Sequence, residues 1–520
     1  MKRLWRTAAC AGAGALLALS AACSSPEEPG GTAAKGAAGD PVKGGSATLL
    51  TIDEPRTLDP ATMLNLAVGH AALGNSLYGT LVTADPVTGE IQPSMASLTT
   101  PDEGTTWRVK LRAGLQFSDG TPFDAAAVKF NWDRIKDPKV GSAYLATAAN
   151  ITTSKVVDGR TLEFTLAAPN ASFSSGITIS AMNWIASPTA LKKGRTQFDN
   201  NPVGAGPYTL DGWRRGAQVT LQRNSGYWEE GKPYLDKLTM KLVGDGEQRL
   251  NTMRSGGADV SWAGSAKEAA QARSAGLVVT RQQMNGGGIL LLNMAQGPFK
   301  DPRAREALSK AIDMDQLNAA ALDGAGTEVK GLFTDKSPLH TDHNLHTYDA
   351  TRAQKLFDEL AADGKALSLT ITVEPTRSRE VEAIQAQLSS YKNVTVKVRT
   401  VDATTNLQTM LSKKYDALYS GTMFVDPETS VWSFFHGSSP FNTTGLNDPE
   451  LNKGLDAGRT SADMAERRKA YDIVQTRLEE LNPVVFTVRL DNLIVTSKAM
   501  GGVGMYGLGS LRVADLWVKR

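Results

Sequence analysis

Apolar and polar residues alternate through WRVKLRAGLQF, residues 107–117, with the two-residue period of a half-buried strand. The same period marks ATLLTI from Ala47, RTLEFTL (160–166) and QVTLQRN (218–224). Between these strands the spacing changes. Val128, Trp132 and Ile135 recur at four and three behind Asp124, which predicts a capped helix, and a second helix is expected over 63–77. SDGTPF (118–123) has Asp-Gly at its centre and reads as a turn. The first half is therefore expected to hold short strands and few helices.

From about residue 290 the pattern is different. Asp301 caps a helix with Pro302 in its first position and Ala304, Ala307, Leu308, Ala311 and Ile312 as its buried stripe. Another helix runs from Asp349 through Ala353, Leu356, Phe357 and Leu360 to a stop at Gly364. LSLTITV (367–373), a helix near 378–390 and VTVKVRTV (394–401) form a β-α-β unit. A helix at 404–414 and the strand DALYSG (416–421) continue it. A long helix from Ser461 carries Tyr471, Val474, Leu478 and Leu481 and ends at Pro483. This half reads as α/β. No internal repeat is visible.

A chain of 520 residues is too long for one ordinary core, so two or three domains are expected. Apolar residues are 41% and charged residues 21%, as in a soluble globular protein. Lys plus Arg is 56 against 54 for Asp plus Glu, which implies no basic face for nucleic acid.

The first residues read as a targeting segment. Lys2, Arg3 and Arg6 precede an apolar run from Ala8 to Leu19, about half the length that spans a bilayer. The following LSAACSS resembles a bacterial lipoprotein signal, with Cys23 as the acylated residue; Ser20 stands where that motif prefers Leu. Residues 1–22 are thus expected to be removed. Cys10 goes with them, which leaves Cys23 alone and excludes an internal disulfide or a thiolate metal site. Residues 23–45 are rich in Gly, Ala, Pro and Ser without apolar period, a flexible tether to the outer face of the cell membrane.

Three stretches imitate functional motifs. Gly226 to Gly231 and Lys232 fit G-x-x-x-x-G-K, but Glu229 and Glu230 would repel phosphate and Pro233 replaces the hydroxyl residue. GVGMYG (502–507) fits G-x-G-x-x-G with too little chain after it for a dinucleotide fold. His340, His343 and His346 are a weak candidate for a divalent metal, since a solvated loop before the helix at 349 explains them better. No catalytic motif stands out and no cofactor is expected.

WRVKLRAGLQFSDGTPFDAAAVKFNWDRI (107–135) resembles the signature region of the family 5 extracellular solute-binding proteins, the oligopeptide-, dipeptide- and nickel-binding components of bacterial ABC importers. NPVGAGPYTLDGW (201–213), the SGYWEEGKPYLDKL block (225–238), residues 250–262, LNMAQGPFKDPRAREALSKAID (292–313) and YDATRAQKLFDEL (348–360) follow in the family's order. The resemblance implies a two-lobed, type II clamshell of the periplasmic-binding-protein kind. Lobe one would take residues 46–87, 200–288 and 490–520, with an extra subdomain at 88–199, and lobe two 289–489. It implies no enzyme, but a monomeric receptor whose lobes close on a small solute, most often a peptide. The receptor would deliver that solute to a membrane permease served by a separate ATPase.

The departure from the family lies in YSGTMFVDPETSVWSFF (419–435). Peptide-binding relatives carry an aspartate before the Pro to pair with the peptide α-amine; Met423 occupies that place and Asp426 sits directly before Pro427. A metal chelate, an oligosaccharide or another metabolite therefore competes with peptide as cargo, and an exported hydrolase on this fold is the further alternative. Expected cleft residues are Asn65, His70, Trp262, Tyr419, Thr422, Met423, Phe424 and Asp426, although Trp262 and Phe424 read equally as core, and His70 reads better as a surface helix residue and Asp426 as a turn former before Pro427.

Overall fold

A computed structural model describes residues 39–65 and 68–519. The signal segment, Cys23 and most of the tether lie outside the described residues. The tether's end is fastened: Gly44 N donates to the Tyr234 carbonyl (2.7 Å) and Gly45 N to the Asp236 carboxylate (2.9 Å).

Two open sheets carry the fold. In chain order their strands are β1 (Ser46–Thr51), β2 (Tyr208–Arg214), β3 (Gln218–Arg223), β4 (Lys237–Leu242), β5 (Val260–Ala263), β6 (Val278–Gln283), β7 (Asn285–Leu292), β8 (Leu367–Val373), β9 (Val394–Thr400), β10 (Ala417–Phe424), β11 (Val484–Phe486) and β12 (Asp491–Thr496). The seven-stranded sheet has the order β6-β12-β5-β1-β4-β3-β2, and the five-stranded sheet the order β9-β8-β10-β7-β11. In the first, β1 is parallel to both neighbours. In the second, β8 is parallel to β9 and β10, and β7 runs antiparallel to β10 from Asn285 beside Phe424 to Leu292 beside Ala417.

A four-stranded antiparallel sheet, Ala96–Thr99, Thr106–Leu111, Thr161–Leu166 and Ile151–Asp158, packs on the first sheet. The strand expected to reach Phe117 stops at Leu111, and the chain turns at Gly114 with φ +75°. Trp132 meets Phe164 edge-on at 5.3 Å, and both belong to one core with Leu49 and Leu238. The helix expected over 63–77 is described from Val68 to Tyr78. The long C-terminal helix begins at Met464 rather than Ser461, because the Asp463 side chain caps it. The strand β7, NGGGILLL, is buried along its whole length. Such a strand has no polar face, so alternation did not announce it.

Lys232 of the false phosphate loop pairs with Glu229 and, at 2.5 Å, with Asp515, so its ammonium is spent inside the fold. A single 3₁₀ turn, Val513–Asp515, follows the second glycine motif where a dinucleotide site needs a helix.

The chain passes between the two sheets twice. Met284 alone separates β6 from β7, and residues 487–490 separate β11 from β12. The crossings touch through Gly288 N to Val488 O (2.8 Å) and Thr487 N to Gly288 O (2.9 Å). A Cβ at position 287 would lie 2.6 Å from the Val488 carbonyl, and one at 288 would lie 2.6 Å from Thr487 Oγ1, so only glycine fits at either place. The Arg489 guanidinium then donates to the carbonyls of Gly286 (2.8 Å), Gly331 (2.6 Å), Leu332 (3.0 Å) and Phe333 (2.9 Å). Burial pulls its pKa down to about 10, which leaves it a cation at neutral pH. The loop it grips ends at buried His346, whose Nε2 donates to the Ile312 carbonyl (2.7 Å).

Two predictions follow from this packing. Arg489→Met keeps the volume and removes the guanidinium from the buried carbonyls of Gly286, Gly331 and Phe333, while Leu332 keeps the Gly286 N–H (2.7 Å), so the melting temperature falls, with a cost of about 3 kcal/mol; an unchanged melt would show that the grip is dispensable. Burial holds the His346 pKa near 4 against 6.5 in an open chain, so the unfolded state takes up a proton that the folded state refuses. Stability is therefore whole above pH 6.5 and declines toward pH 4, by about 3 kcal/mol at most. His346→Asn melts followed across that range should show a shallower decline than wild type.

Candidate ligand-binding crevice

In open α/β sheets, ligand crevices lie beyond the carboxyl ends of the strands, where successive connections diverge. Here the topology turns two such ends toward each other. The strand β6 points the same way as β5 and β1, and one residue after its end the chain enters β7 beside the end of β10. The carboxyl ends of β1, β4 and β5 thus face those of β8, β9 and β10. In the second sheet, helix Ser378–Leu388 leads from β8 to β9 on one side, and helix Ala403–Ser412 leads from β9 to β10 on the other. The divergence point lies between Glu374 and the Met423–Asp426 stretch.

On the first wall, Trp262 stands beside Thr51 near the ends of β5 and β1, given the pairing of Leu49 with Val260. Its ring is buried in the core and its Nε1 has no partner among the described residues. His70 Nδ1 accepts from Leu64 N (3.2 Å), so its proton sits on Nε2, 3.7 Å from the Asp53 carboxylate. Asn65 is a brace: its amide donates to the carbonyls of Thr178 (3.1 Å) and Ser180 (2.9 Å), and its backbone N donates to Tyr144 Oη (2.7 Å). Ile52, the residue after β1, is 51% exposed.

On the second wall, Tyr419 points into the core and its hydroxyl bonds Thr487 Oγ1 at 2.8 Å, behind the crossing. Burial pushes its phenol up to about 12. Phe424 packs edge-on against Phe333 at 5.8 Å. Thr422 is buried with its hydroxyl unpartnered among the described residues, and Met423 is half-buried. Asp426 is already engaged: one oxygen caps Glu428 N (2.9 Å) and the carboxylate pairs with Arg467 (2.9 Å). Asn406 donates to Glu374 (3.0 Å), which seats its helix at the end of β8 and leaves the neighbouring Leu407 51% exposed, with Leu411 one turn on at 44%.

The structure therefore brings Thr422, Met423 and Asp426 together at the end of β10 and Trp262 to the end of β5, while His70 lies beside Asp53, two residues after β1, and Asn65 is spent bracing lobe one. Tyr419 and Phe424 stand behind them as packing. The histidine candidate does not assemble. His343 meets Glu479 (3.0 Å) through Nδ1 and Asp472 (2.8 Å) through Nε2, His340 lies 3.5 Å from Asp342, and His346 turns to Ile312. Each ring is taken by a different neighbour, and no group of three or more metal-ligating side chains occurs among the described residues. A groove of about 1000 Å³ beside His340 and His343 lies along the flank of the crossing, between Gln283 at the end of β6 and Arg489. Sequence reasoning missed Ile52, Glu374, Leu407 and Leu411. Only their place just after a strand or on the next helix signalled them.

The lobes already touch beside β10. A Cβ at Gly89 would lie 3.2 Å from Val425 Cγ1, and a cavity of about 20 Å³, room for a single water, is enclosed there by Ser175 and Thr178 on one side and Val425 and Asp426 on the other.

Among known proteins, the glutathione-binding protein GsiB of Escherichia coli strain K12 is 31% identical over 306 residues, 58% of this chain and 59% of that protein. The match thus spans less than two thirds of the relative's length. Solved structures share the fold at lower identity. AgaA of A. tumefaciens R10, in complex with agropinic acid, has a TM-score of 0.77 at 23% identity, covering 92% of this chain and 99% of that one. The oligopeptide-binding protein AppA of Bacillus subtilis, in complex with a nonapeptide, has a TM-score of 0.75 at 20% identity, covering 92% and 100%. The family description "Bacterial extracellular solute-binding proteins, family 5 Middle" matches residues 90–442, more than half of the chain. With that match and this two-sheet fold, the chain belongs to the family 5 bacterial extracellular solute-binding proteins.

Proposed function

We propose that the protein is the substrate-binding component of an ABC importer, a receptor that closes two lobes on a small solute and hands it unaltered to a membrane permease. One observation carries this reading: two sheets between which the described chain crosses twice, at adjacent places, with the carboxyl ends of their parallel strands facing each other. Such a joint lets the lobes swing, and a ligand that touches both walls favours the closed state by its extra contacts there. Lobe one comprises residues 46–87, 200–288 and 490–520 with the subdomain 88–199, and lobe two comprises 289–489. Cys23, acylated after removal of residues 1–22, anchors the protein to the outer face of the cell membrane, and the lipoprotein-like LSAACSS supports this.

Peptide is the first cargo to test, in line with the relatives that bind glutathione and a nonapeptide. The ligand's apolar part would rest on Ile52, Leu407 and Leu411, large side chains otherwise left in water. A second reading, a solute without a free α-amine, is favoured by Met423 and by the commitment of Asp426 to Arg467. A charge-assisted bond to an amine contributes about 1.5–3 kcal/mol, so its loss at this place is felt.

The full chain, purified and examined by native mass spectrometry, should carry or take up one small molecule. A pool of peptides two to ten residues long should raise its melting temperature, since ligand at a hundred times Kd adds about 2.7 kcal/mol. Shifts by amine-blocked but not free peptides would select the second reading, and turnover of the bound solute would remove the receptor role. Separately, Cys23→Ser should abolish palmitate incorporation and release the protein from membranes; continued labelling would refute the anchor.

A further inference from the structure

The contacts between lobes are unequal. At one place Lys267 reaches Asp323 at 3.0 Å, with the two side chains 53% and 47% exposed, so water and salt screen the pair. Elsewhere, Asn170 Nδ2 donates to Glu428 Oε1 at 2.7 Å with both residues buried, and next to it Ala171 N donates to the Arg459 carbonyl at 3.1 Å. Asn170 follows the strand Thr161–Leu166, and Glu428 opens the helix Glu428–Phe435.

Each half of this contact is fixed by its own lobe. Asn170 N donates to the Gly104 carbonyl (3.1 Å) and Asn170 Oδ1 accepts from Ser172 N (3.0 Å), which leaves the amide hydrogens pointing outward. A Cβ at Gly104 would lie 2.3 Å from the Asn170 carbonyl carbon, so the loop closes only over glycine. Opposite, Glu428 is paired with Arg459 at 2.9 Å, and the Arg459 guanidinium lies 4.3 Å over the Trp432 ring. The Glu428 backbone N is held by Asp426, which Arg467 holds in turn. The charged groups around Glu428 are thus Arg459, Asp426 and Arg467. Two groups immobilised beforehand lose little freedom when they meet.

We infer that Asn170 and Glu428 form a latch that fastens the closed lobes without help from any ligand. The inference rests on the closing-lobe reading above. A ligand then has only to supplement a closure that the protein has part-built, and the latch sets how often the empty receptor closes. Burial disfavours an ionised Glu428, and Arg459 opposes that penalty, so one donor from lobe one completes its shell.

The test is single-molecule energy transfer in the full chain without added ligand, between dyes on non-natural amino acids at exposed Lys155 and Lys453. Wild type should show a closed and an open population. Asn170→Asp sets a second carboxylate against Glu428 and should lower the closed-to-open ratio about ten-fold or more. Asn170→Ala, which removes only the donor, should lower it less and in the same direction. Two populations in unchanged proportion in both variants would overturn the latch and leave lobe closure standing. A single population in all three proteins would overturn closure, and the latch with it.

Discussion

The close approach of two chain crossings governs this molecule. Residues 284–288 and 487–490 meet where Gly287 and Gly288 have no side chains to keep them apart, and Arg489 ties the pair to the loop at 331–333. A joint that narrow fixes which ends of the two sheets face each other while leaving the rest of each sheet unconnected. The facing ends are carboxyl ends, and a crevice follows from topology before any side chain is considered. The hydrogen bonds of Arg489 run to backbone carbonyls rather than to an acid. The grip therefore depends on the course of the loop's backbone, and its acceptors belong to buried residues.

The chemistry at the crevice is shaped by what the lobes have already spent. Acids cluster after β10, yet Asp426 and Glu428 are consumed by Arg467, Arg459 and Asn170. The wall that remains is Met423, Thr422 and the exposed leucines of the helix before β10. On the other side are the buried Trp262 and the His70–Asp53 pair. On the proposed reading, recognition and closure are separable, since the crevice side chains and the Asn170–Glu428 contact belong to different residues.

Much of the second lobe was legible in the sequence. The stripes at 304–312 and 353–360, the alternation at 367–373 and the apolar period at 471–481 each expose one polar face, and periodicity is read from that contrast. Where an element has no polar face the contrast vanishes, as in β7. The helices Glu428–Phe435 and Pro449–Thr460 also went unread, because neither carries a clean apolar stripe next to a clear stop. The histidine loop failed for another reason: regular spacing in sequence says nothing about ring direction, and the three rings turn to three different partners.

The sequence by itself determined the class of the chain, the α/β character of its second half, the falsity of its glycine motifs and the family, since each rests on local pattern or on ordered blocks of residues. Only the tertiary structure decided which acids are free, which aromatic residues pack rather than face the crevice, and that Asn170 meets Glu428 across 258 positions. Those outcomes depend on long-range pairings and on competition for a few hydrogen-bond partners, and no short stretch of sequence contains either.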